Sequence, residues 1–378
     1  MKKLILVLLL IVLTVGLIFG GCTQPTPALA PVPAPAPASK PAPTPAPAPT
    51  PAPAPQNAPA PVPESVIKLK YSDWGPEHVD LGLRAQQWKE VIEERTDGRV
   101  KIHLYFNQSL LKAEDTITGV GAGIADVCLY VIISAQPLNM IVEQPFMFLP
   151  STDPIARTEI FKELRNKYPE FDEEFARLNL MPLYWRSMVP EHVHTIKKQV
   201  KVPEDLSGMK LNGRSWWEQP LKTVNADLIP VIAPNWYKAL NEGLITGQIM
   251  HWNAIQGYGT LRLFKYHTVF GPGGIDTPFI GKLFNLDTWH SLPSDIQKIF
   301  MDTAKEQEKW GLEDDLRVQE EAIAHAKEIG NTIYTATLEE YRLWFDFTAS
   351  VRLKWIIDAE EAGWTRAREI YEEAKRLD

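Results

Sequence analysis

The pattern of apolar and polar residues after residue 64 predicts two blocks of alternating strands and helices. In the first block, residues 66–71 and 100–106 alternate apolar with polar positions, which is typical of strands. Residues 81–94 have helical spacing, and residues 114–121 predict a short helix. Residues 125–133 are nearly all apolar, as expected for a strand buried on both faces. The order is βαβαβ, which predicts a doubly wound α/β sheet.

A second block of the same kind begins near residue 193 and ends in a long helical region. Helices are predicted from Ser215, from Trp236 and from Ser294, where Ser215/Glu218 and Ser294/Gln297 have the spacing of capping boxes. The predicted strands cover residues 194–196, 210–211, 228–232, 247–252, 266–270 and 279–285, and the predicted C-terminal helices cover residues 294–329, 338–359 and 364–376. Two α/β blocks followed by a long helix predict two hinged lobes, with the ligand in the crevice beyond the carboxyl ends of the strands.

The first residues of the chain are typical of an export signal. Lys2 and Lys3 precede an apolar run over residues 4–19, and Gly20-Gly21-Cys22 resembles a bacterial lipobox, in which the cysteine is lipidated. Phe19 stands where leucine is usual. An uncleaved signal anchor is the alternative, and both interpretations place the rest of the chain outside the cytoplasm.

Residues 25–63 are a Pro/Ala tract with almost no apolar bulk to bury. Alternating proline favours extended polyproline II, so we expect a stiff stalk between the lipid anchor and the folded lobes. The predicted domains are residues 1–22 (lipoprotein signal peptide), 23–64 (Pro/Ala-rich linker), 65–189 with 278–317 (lobe I), and 190–277 with 318–378 (lobe II).

Composition and charge exclude several classes of protein. The net charge of -8 argues against a nucleic-acid partner, because phosphate binding needs a basic face. The two cysteines, Cys22 and Cys128, are too few for a disulfide framework or a cysteine-built zinc site. The sequence has no Gly-x-Ser-x-Gly elbow, His-Glu-x-x-His motif or phosphate loop, so we expect no enzyme and no cofactor. The acidic run at residues 313–315 is interpreted as a solvated helix face.

Several segments, in order, resemble the solute-binding proteins of TRAP transporters (DctP type). They are VIEERTDGRV (91–100), VGAGIAD (120–126), EQPFMF (143–148), PEDLSGMK (203–210), YKALNEG (237–243) with Gly247, and FNLDTW (284–289) with LPSDIQ (292–297). The resemblance implies a two-lobed periplasmic-binding-protein fold, class II-like, with a long helix spanning both lobes. It also implies a receptor that captures a small organic acid and delivers it to small and large membrane subunits that use an ion gradient.

The ligand site departs from the pattern that the resemblance implies. Family members commonly carry an arginine for the ligand carboxylate directly after the segment that matches Met209-Lys210-Leu211, and this chain has Asn212 there. Arg214 lies two residues on, and a guanidinium can bind both oxygens of a carboxylate. We therefore expect either that Arg214 replaces the family arginine, or that Arg214 is a surface arginine and the solute is neutral or weakly anionic. A second family arginine falls near His192.

Further candidates for ligand contact lie within or just after predicted strands, or at the start of a predicted helix. They are Trp74, His78, Tyr130, Trp185, Arg186, Trp236, Tyr237, His251, Trp252 and Asn253. Twelve tryptophans are many for a chain of this length, and they favour an aromatic or bulky acid, although core packing is the commoner role of any one of them.

Two alternatives to solute transport stay open. His192 and His194 share one face of a predicted strand, and with His251 they would suit a metal-binding receptor. The same fold can also serve as a ligand sensor for a signalling partner.

Overall fold

The structure of the chain is a computed structural model that describes residues 66–131 and 153–378. Within these ranges the strands are β1 (Ile67–Ser72), β2 (Val100–Tyr105), β3 (Val127–Val131), β4 (Leu180–Ser187), β5 (Glu191–Thr195), β6 (Lys210–Asn212), β7 (Asp227–Leu228), β8 (Gly247–His251), β9 (Tyr266–Val269), β10 (Phe279–Asn285) and β11 (Thr332–Thr335). The helices are α1 (Asp80–Arg95), α2 (Thr116–Gly121), α3 (Pro154–Lys167), α4 (Glu170–Arg177), α5 (Glu218–Thr223), α6 (Trp236–Asn241), α7 (Trp252–Gly257), α8 (Leu286–Ser291), α9 (Ser294–Glu328), α10 (Leu338–Phe347), α11 (Ala349–Glu361) and α12 (Ala367–Leu377).

The first sheet has the strand order β2-β1-β3-β10-β4. Strands β1, β2 and β3 are parallel, and β10 runs antiparallel to both β3 and β4. Alternate residues of β3 pack into two different core clusters, Val127 and Leu129 on one face and Cys128 and Tyr130 on the other. The nearly all-apolar sequence of β3 follows from this burial on both faces.

The second sheet has the order β11-β9-β5-β8-β6-β7. Strands β6, β7 and β8 are parallel, β9 and β11 form a second parallel pair, and β5 runs antiparallel to both β8 and β9. On β8, Ile249 packs in one core cluster and Met250 in another, so this strand is also buried on both faces. Both sheets therefore place three parallel strands beside an antiparallel one, and each sheet with its helices forms a lobe.

Helix α9 is long enough to contact both lobes. Its first half contributes Ile296 and Phe300 to a first-lobe core cluster, and its second half contributes Ala322 and Ala326 to a second-lobe cluster. It contacts α1 and β4 in the first lobe and α7 and β11 in the second. The predicted α/β fold with two lobes and a long C-terminal helix is confirmed.

The C-terminal helices also contact both lobes. Trp344 of α10 packs in the same cluster as Val193 of β5, whereas Trp355 of α11 and Ile370 of α12 pack in the same cluster as Cys128 of β3. From the sequence we predicted that all of residues 318–378 belong to the second lobe. The lobe boundaries remain a prediction.

The predicted signal peptide, the lipidated Cys22, the Pro/Ala linker and the motif at residues 143–148 lie outside the described residues. No helix within the two described ranges is long and apolar enough to cross a membrane.

Candidate functional site

A cleft with a volume of about 390 Å³ lies between the two lobes. Its first-lobe wall includes Trp74 and Gly75, which follow β1, and its second-lobe wall includes Arg214 after β6 and Asn253 after β8. Helix α9 adds Asp315. The cleft therefore opens at the carboxyl ends of parallel strands from both sheets, as the α/β pattern predicts.

Arg214 lines the cleft and is paired with a buried carboxylate. Its Nε and Nη2 atoms both lie 3.1 Å from Oε1 of Glu191, the first residue of β5. Glu191 is fully buried, and the guanidinium of Arg214 also lies over the Trp216 ring, 5.5 Å from its centroid. The sequence predicted the cation but gave no sign of its partner, since Glu191 is 23 residues away along the chain.

Asn212 occupies the position of the expected family arginine, and its polar atoms are used within the protein. Its Nδ2 donates to the carbonyl oxygens of Ile229 and Val231, each at 3.2 Å, and its Oδ1 accepts from Gln248 Nε2 at 3.1 Å. Asn212 therefore holds the segment after β7 against β6 and β8. Val231 and its neighbours in that segment form part of the cleft wall.

His251 and Asn253 line the cleft just after β8. Nδ1 of His251 accepts a hydrogen bond from the Ala254 amide at 3.2 Å, so the neutral ring carries its proton on Nε2. Burial lowers the pKa of His251 to about 4, with Arg214 contributing in the same direction. Asn253 Nδ2 donates to the backbone oxygen of Asp315 at 2.9 Å, which ties the second lobe to α9.

Asp315 is a cleft residue that the sequence analysis missed. Its Oδ1 accepts from Arg84 Nη1 and its Oδ2 from Arg186 Nη1, both at 2.6 Å. Burial alone would raise the pKa of Asp315, but Arg186 and Arg84 more than offset this and lower it. The interpretation of residues 313–315 as a solvated helix face is therefore wrong for Asp315, which is 2% exposed.

Aromatic and aliphatic side chains form much of the remaining wall. Trp236 and Tyr258 meet edge to face with ring centroids 5.1 Å apart, and Trp236 Nε1 donates to Val231 O at 2.8 Å. Because its one polar atom is used, Trp236 presents only apolar surface to the cleft. Ile232, which is 58% exposed, extends this apolar wall on the second lobe.

The sequence matches the family described as bacterial extracellular solute-binding protein, family 7 (DctP), over residues 72–356. The chain belongs to this family. The predicted resemblance to TRAP solute-binding proteins is thereby confirmed, and the family and the fold are those of extracytoplasmic solute-binding proteins rather than of enzymes.

Solved structures of TRAP solute-binding proteins show the same fold at low sequence identity. A TRAP protein from a marine metagenome, specific for aromatic acid ligands and in complex with metahydroxyphenylacetate, has a TM-score of 0.73 at 20% identity and covers 82% of this chain and 98% of its own. A TRAP protein from Rhodoferax ferrireducens with copurified benzoate has a TM-score of 0.72 at 20% identity, covering 82% and 97%. A third, from Chromohalobacter salexigens with bound D-glucuronate, has a TM-score of 0.70 at 15% identity, covering 82% and 100%.

Sequence relatives of this family 7 protein are also distant. An uncharacterized protein of Haemophilus influenzae is 24% identical over 280 residues, which is 70% of this chain and 80% of the relative. A solute-binding protein of Verminephrobacter eiseniae is 24% identical over 235 residues, or 60% and 66% of the two chains.

The predicted ligand residues of this family 7 protein fall into two groups. Those that the structure brings together in the cleft are Trp74, Asn212, Arg214, Trp236, His251 and Asn253. Those that it places elsewhere are His78, Tyr130, Trp185, Arg186, His192, Tyr237 and Trp252.

Residues of the second group have other surroundings. Tyr130 and Trp185 stack in the first-lobe core with ring centroids 4.6 Å apart, and Trp252 is buried in a second-lobe cluster. His78 is exposed in a turn, and Tyr237 lies under the Arg262 guanidinium, 4.6 Å from it.

The strand histidines pair with protein groups. His194 Nδ1 lies 2.7 Å from His267 Nδ1, and His194 Nε2 lies 2.9 Å from the Met250 carbonyl oxygen, to which it must donate. His192 Nδ1 faces the Phe270 amide at 3.4 Å. Within residues 66–131 and 153–378, no group of three or more His, Cys, Asp or Glu side chains is arranged to hold a metal ion.

Proposed function

We propose that this chain is the solute receptor of a TRAP-type secondary transporter and captures a small organic acid with an aromatic or bulky apolar body. The observation that carries the proposal is the cleft, in which one arginine lies among largely apolar lining residues. In this proposal the closed receptor delivers its solute to small and large membrane subunits.

Arg214 supports an acid as the solute. Among the described lining residues it is the one permanent cation. Of the acidic lining residues, Asp315 is bonded by two first-lobe arginines, and Asp80 and Glu114 belong to the first lobe, across the cleft from Arg214. A guanidinium at a partly dry wall is suited to binding a carboxylate. The aromatic acids in the marine metagenome and Rhodoferax ferrireducens proteins are consistent with this ligand class.

The size and polarity of the cleft support a bulky body on that acid. A volume of about 390 Å³ is within the range of pockets for small organic molecules. Trp236, Ile232 and Leu81 offer apolar surface, whereas a small diacid would leave this surface against water.

Thermal unfolding of the chain against a panel of solutes tests the proposal. The panel contains benzoate, 3-hydroxybenzoate and D-glucuronate, each beside its amide or alcohol. We expect only the acids to raise the melting temperature. A solute at 100 times its Kd stabilises the folded state by about 2.7 kcal/mol. This corresponds to several degrees, at about 2–4 °C per kcal/mol.

Substitutions of two arginines test whether the rise in melting temperature with acids depends on Arg214. Arg214→Ala would leave Glu191 buried without its counter-charge, so the substitution is made together with Glu191→Gln and compared with Glu191→Gln alone. We expect the double variant to lose the acid-dependent shift. Arg262→Ala, at an exposed arginine of the second lobe outside the cleft, is expected to retain it. Equal shifts with neutral solutes would contradict the carboxylate proposal.

A further inference from the structure

Two buried carboxylates flank the arginine of the cleft wall. Glu191 accepts from Arg214 through Oε1, and its Oε2 has no hydrogen-bond partner within the described part of the chain. Asp276 is 1% exposed and is bonded to Glu191 through the backbone, with the Glu191 amide 2.7 Å from the Asp276 carbonyl oxygen. The side chain of Asp276 accepts from Trp216 Nε1 at 3.0 Å.

The charged groups around Glu191 come from several elements. Arg214 follows β6, Asp276 precedes β10, and His251 of β8 is the Cα partner of Glu191 in the β5–β8 ladder. His192 is the next residue of β5. The charge of Arg157 of α3 lowers the pKa of Asp276. Burial lowers the pKa of His192 to about 3 and of His251 to about 4, so neither ring adds positive charge near neutral pH.

The balance of these groups makes the Glu191 carboxylate easy to protonate. Burial raises the pKa of Glu191, Arg214 opposes the rise, and the nearby charge of Asp276 adds to it. Burial likewise raises the pKa of Asp276, whereas the charge of Arg214 lowers it. Arg214 is the cation that acts on both carboxylates, and Arg157 acts more weakly on Asp276. Two carboxylates that depend mainly on one cation away from water do not both stay ionised easily.

We propose that Glu191 takes up a proton when an anionic solute binds at Arg214, so that the cleft captures an organic acid together with a proton. This inference rests on the proposed function, in which the solute carboxylate reaches Arg214. The arriving carboxylate is a further negative charge beside the same guanidinium. A proton from solvent forms an O–H bond on the Glu191 carboxyl, which releases Arg214 to pair with the solute. Glu191 acts through Arg214 and is therefore a positioning residue.

The affinity for acids consequently depends on pH. Because a proton is taken up with the solute, binding weakens as pH rises through the range in which unliganded Glu191 loses its proton. The limit is about a tenfold increase in Kd per pH unit for one proton. A neutral solute adds no charge at Arg214, so its Kd is expected to be independent of pH over the same range.

Isothermal titration calorimetry on the full-length chain measures this proton directly. Benzoate, 3-hydroxybenzoate and D-glucuronate are titrated between about pH 7 and 8.5, in phosphate and in Tris, with benzamide as the neutral probe. The buffer releases the proton that the protein takes up, so the observed binding enthalpy for the acids should differ between the two buffers. We expect the difference to correspond to an uptake of up to about one proton per solute at alkaline pH. Benzamide should show no such difference.

A pair of glutamate variants assigns the proton to one residue. Glu191→Gln should remove the proton uptake and the pH dependence, and should bind acids more tightly than the unsubstituted chain at about pH 8.5. Glu174→Gln, at a buried glutamate of α4 outside the cleft wall, should keep both. Acid binding without buffer dependence, or a Glu191→Gln variant with the original pH dependence, overturns this inference and leaves the proposed function intact. Failure of all three acids to bind overturns both.

Discussion

Arg214 shows how much of a binding site a sequence can reveal at the scale of one residue. Its position two residues after Asn212, at the end of a short strand, made it a candidate for ligand contact beside the alternative of a surface arginine, and the structure places it in the cleft wall. The sequence could not show that Glu191 neutralises it, because β5 and β6 are brought together only through β8. For the same reason Asp315 was misjudged, since Arg84 and Arg186 reach it from distant elements.

Buried histidines make the stability of the fold sensitive to acid. Burial lowers the pKa of His194 to about 3 and of His267 to about 2, whereas an unfolded histidine titrates near 6.5. Their contribution is therefore present above about pH 6.5 and is lost as pH falls below it, by up to about 1.4 kcal/mol per pH unit for each ring. Urea unfolding between pH 7.5 and 5 measures the slope.

Single substitutions test whether the buried histidines cause the fall of the unfolding free energy at lower pH. His194→Gln is expected to flatten the fall in unfolding free energy with pH, because one fewer group takes up a proton on unfolding. His290→Gln, at an exposed histidine of α8, is expected to leave it unchanged. Equal slopes in the two variants would contradict the assignment to buried histidines.

At the scale of elements, local periodicity predicted most strands of both blocks, but proline and long-range packing decided several boundaries. A strand was expected over residues 228–232, yet β7 ends at Leu228, because Pro230 cannot donate a ladder hydrogen bond. The capping box expected at Ser294 does not form, since Pro293 precedes α9 without a side-chain cap. Helices α3 and α4 were not predicted.

The signal for α3 and α4 was nevertheless present in the sequence. Asp153 caps α3 by accepting from the amides of Ile155 and Ala156, with Pro154 in the first turn. Ile160 and Leu164 of α3, and Phe171 and Phe175 of α4, are buried at a spacing of four residues. This is the spacing of a helix face.

A glycine in α9 gives a prediction about helix packing. A Cβ on Gly311 would lie 3.1 Å from Arg186 Nη2 and 3.3 Å from its Nε. Arg186 cannot easily move, because its Nη1 is bonded to Asp315 and to the Ser187 carbonyl oxygen. We expect Gly311→Ala to destabilise the fold by about 1–3 kcal/mol in chemical unfolding, despite the better helix propensity of alanine.

The matched control is the last residue of α7. Gly257 has no atom within 4 Å of an added Cβ, so Gly257→Ala is expected to stabilise by up to about 1 kcal/mol. Stabilisation by both substitutions would show that Arg186 yields to the added methyl group.

At the scale of the whole molecule, the repeated βαβαβ pattern was sufficient to predict two lobes with a cleft at the strand ends. It could not show which side chains of each lobe face the other, because that depends on how the lobes are joined. Tyr130 and Trp185 illustrate the limit, since both follow a plausible strand pattern and pack on a core-facing side of the first sheet.

The attachment of the molecule to the membrane can be tested through its two cysteines. If Cys22 carries lipid after signal cleavage, Cys22→Ser removes the acyl chains, each worth about 0.8 kcal/mol per buried CH₂ group. We expect the variant to move from the membrane to the soluble fraction in cell fractionation. Cys128→Ser, at a buried thiol of β3, should stay in the membrane fraction. Retention of Cys22→Ser would instead indicate an uncleaved signal anchor.

Asp315 holds both lobes at one point of α9. Its carboxylate is bonded by two arginines of the first lobe, while its backbone oxygen is bonded by Asn253 of the second. A rotation of one lobe about Asp315 would move each cleft wall by a distance that increases with the distance of that wall from Asp315. If the lobes close over a solute as the proposed function requires, Asp315 is placed at the pivot of that movement. Substitutions that loosen it would then change how fast a solute enters and leaves, even where the contacts of the bound solute are the same.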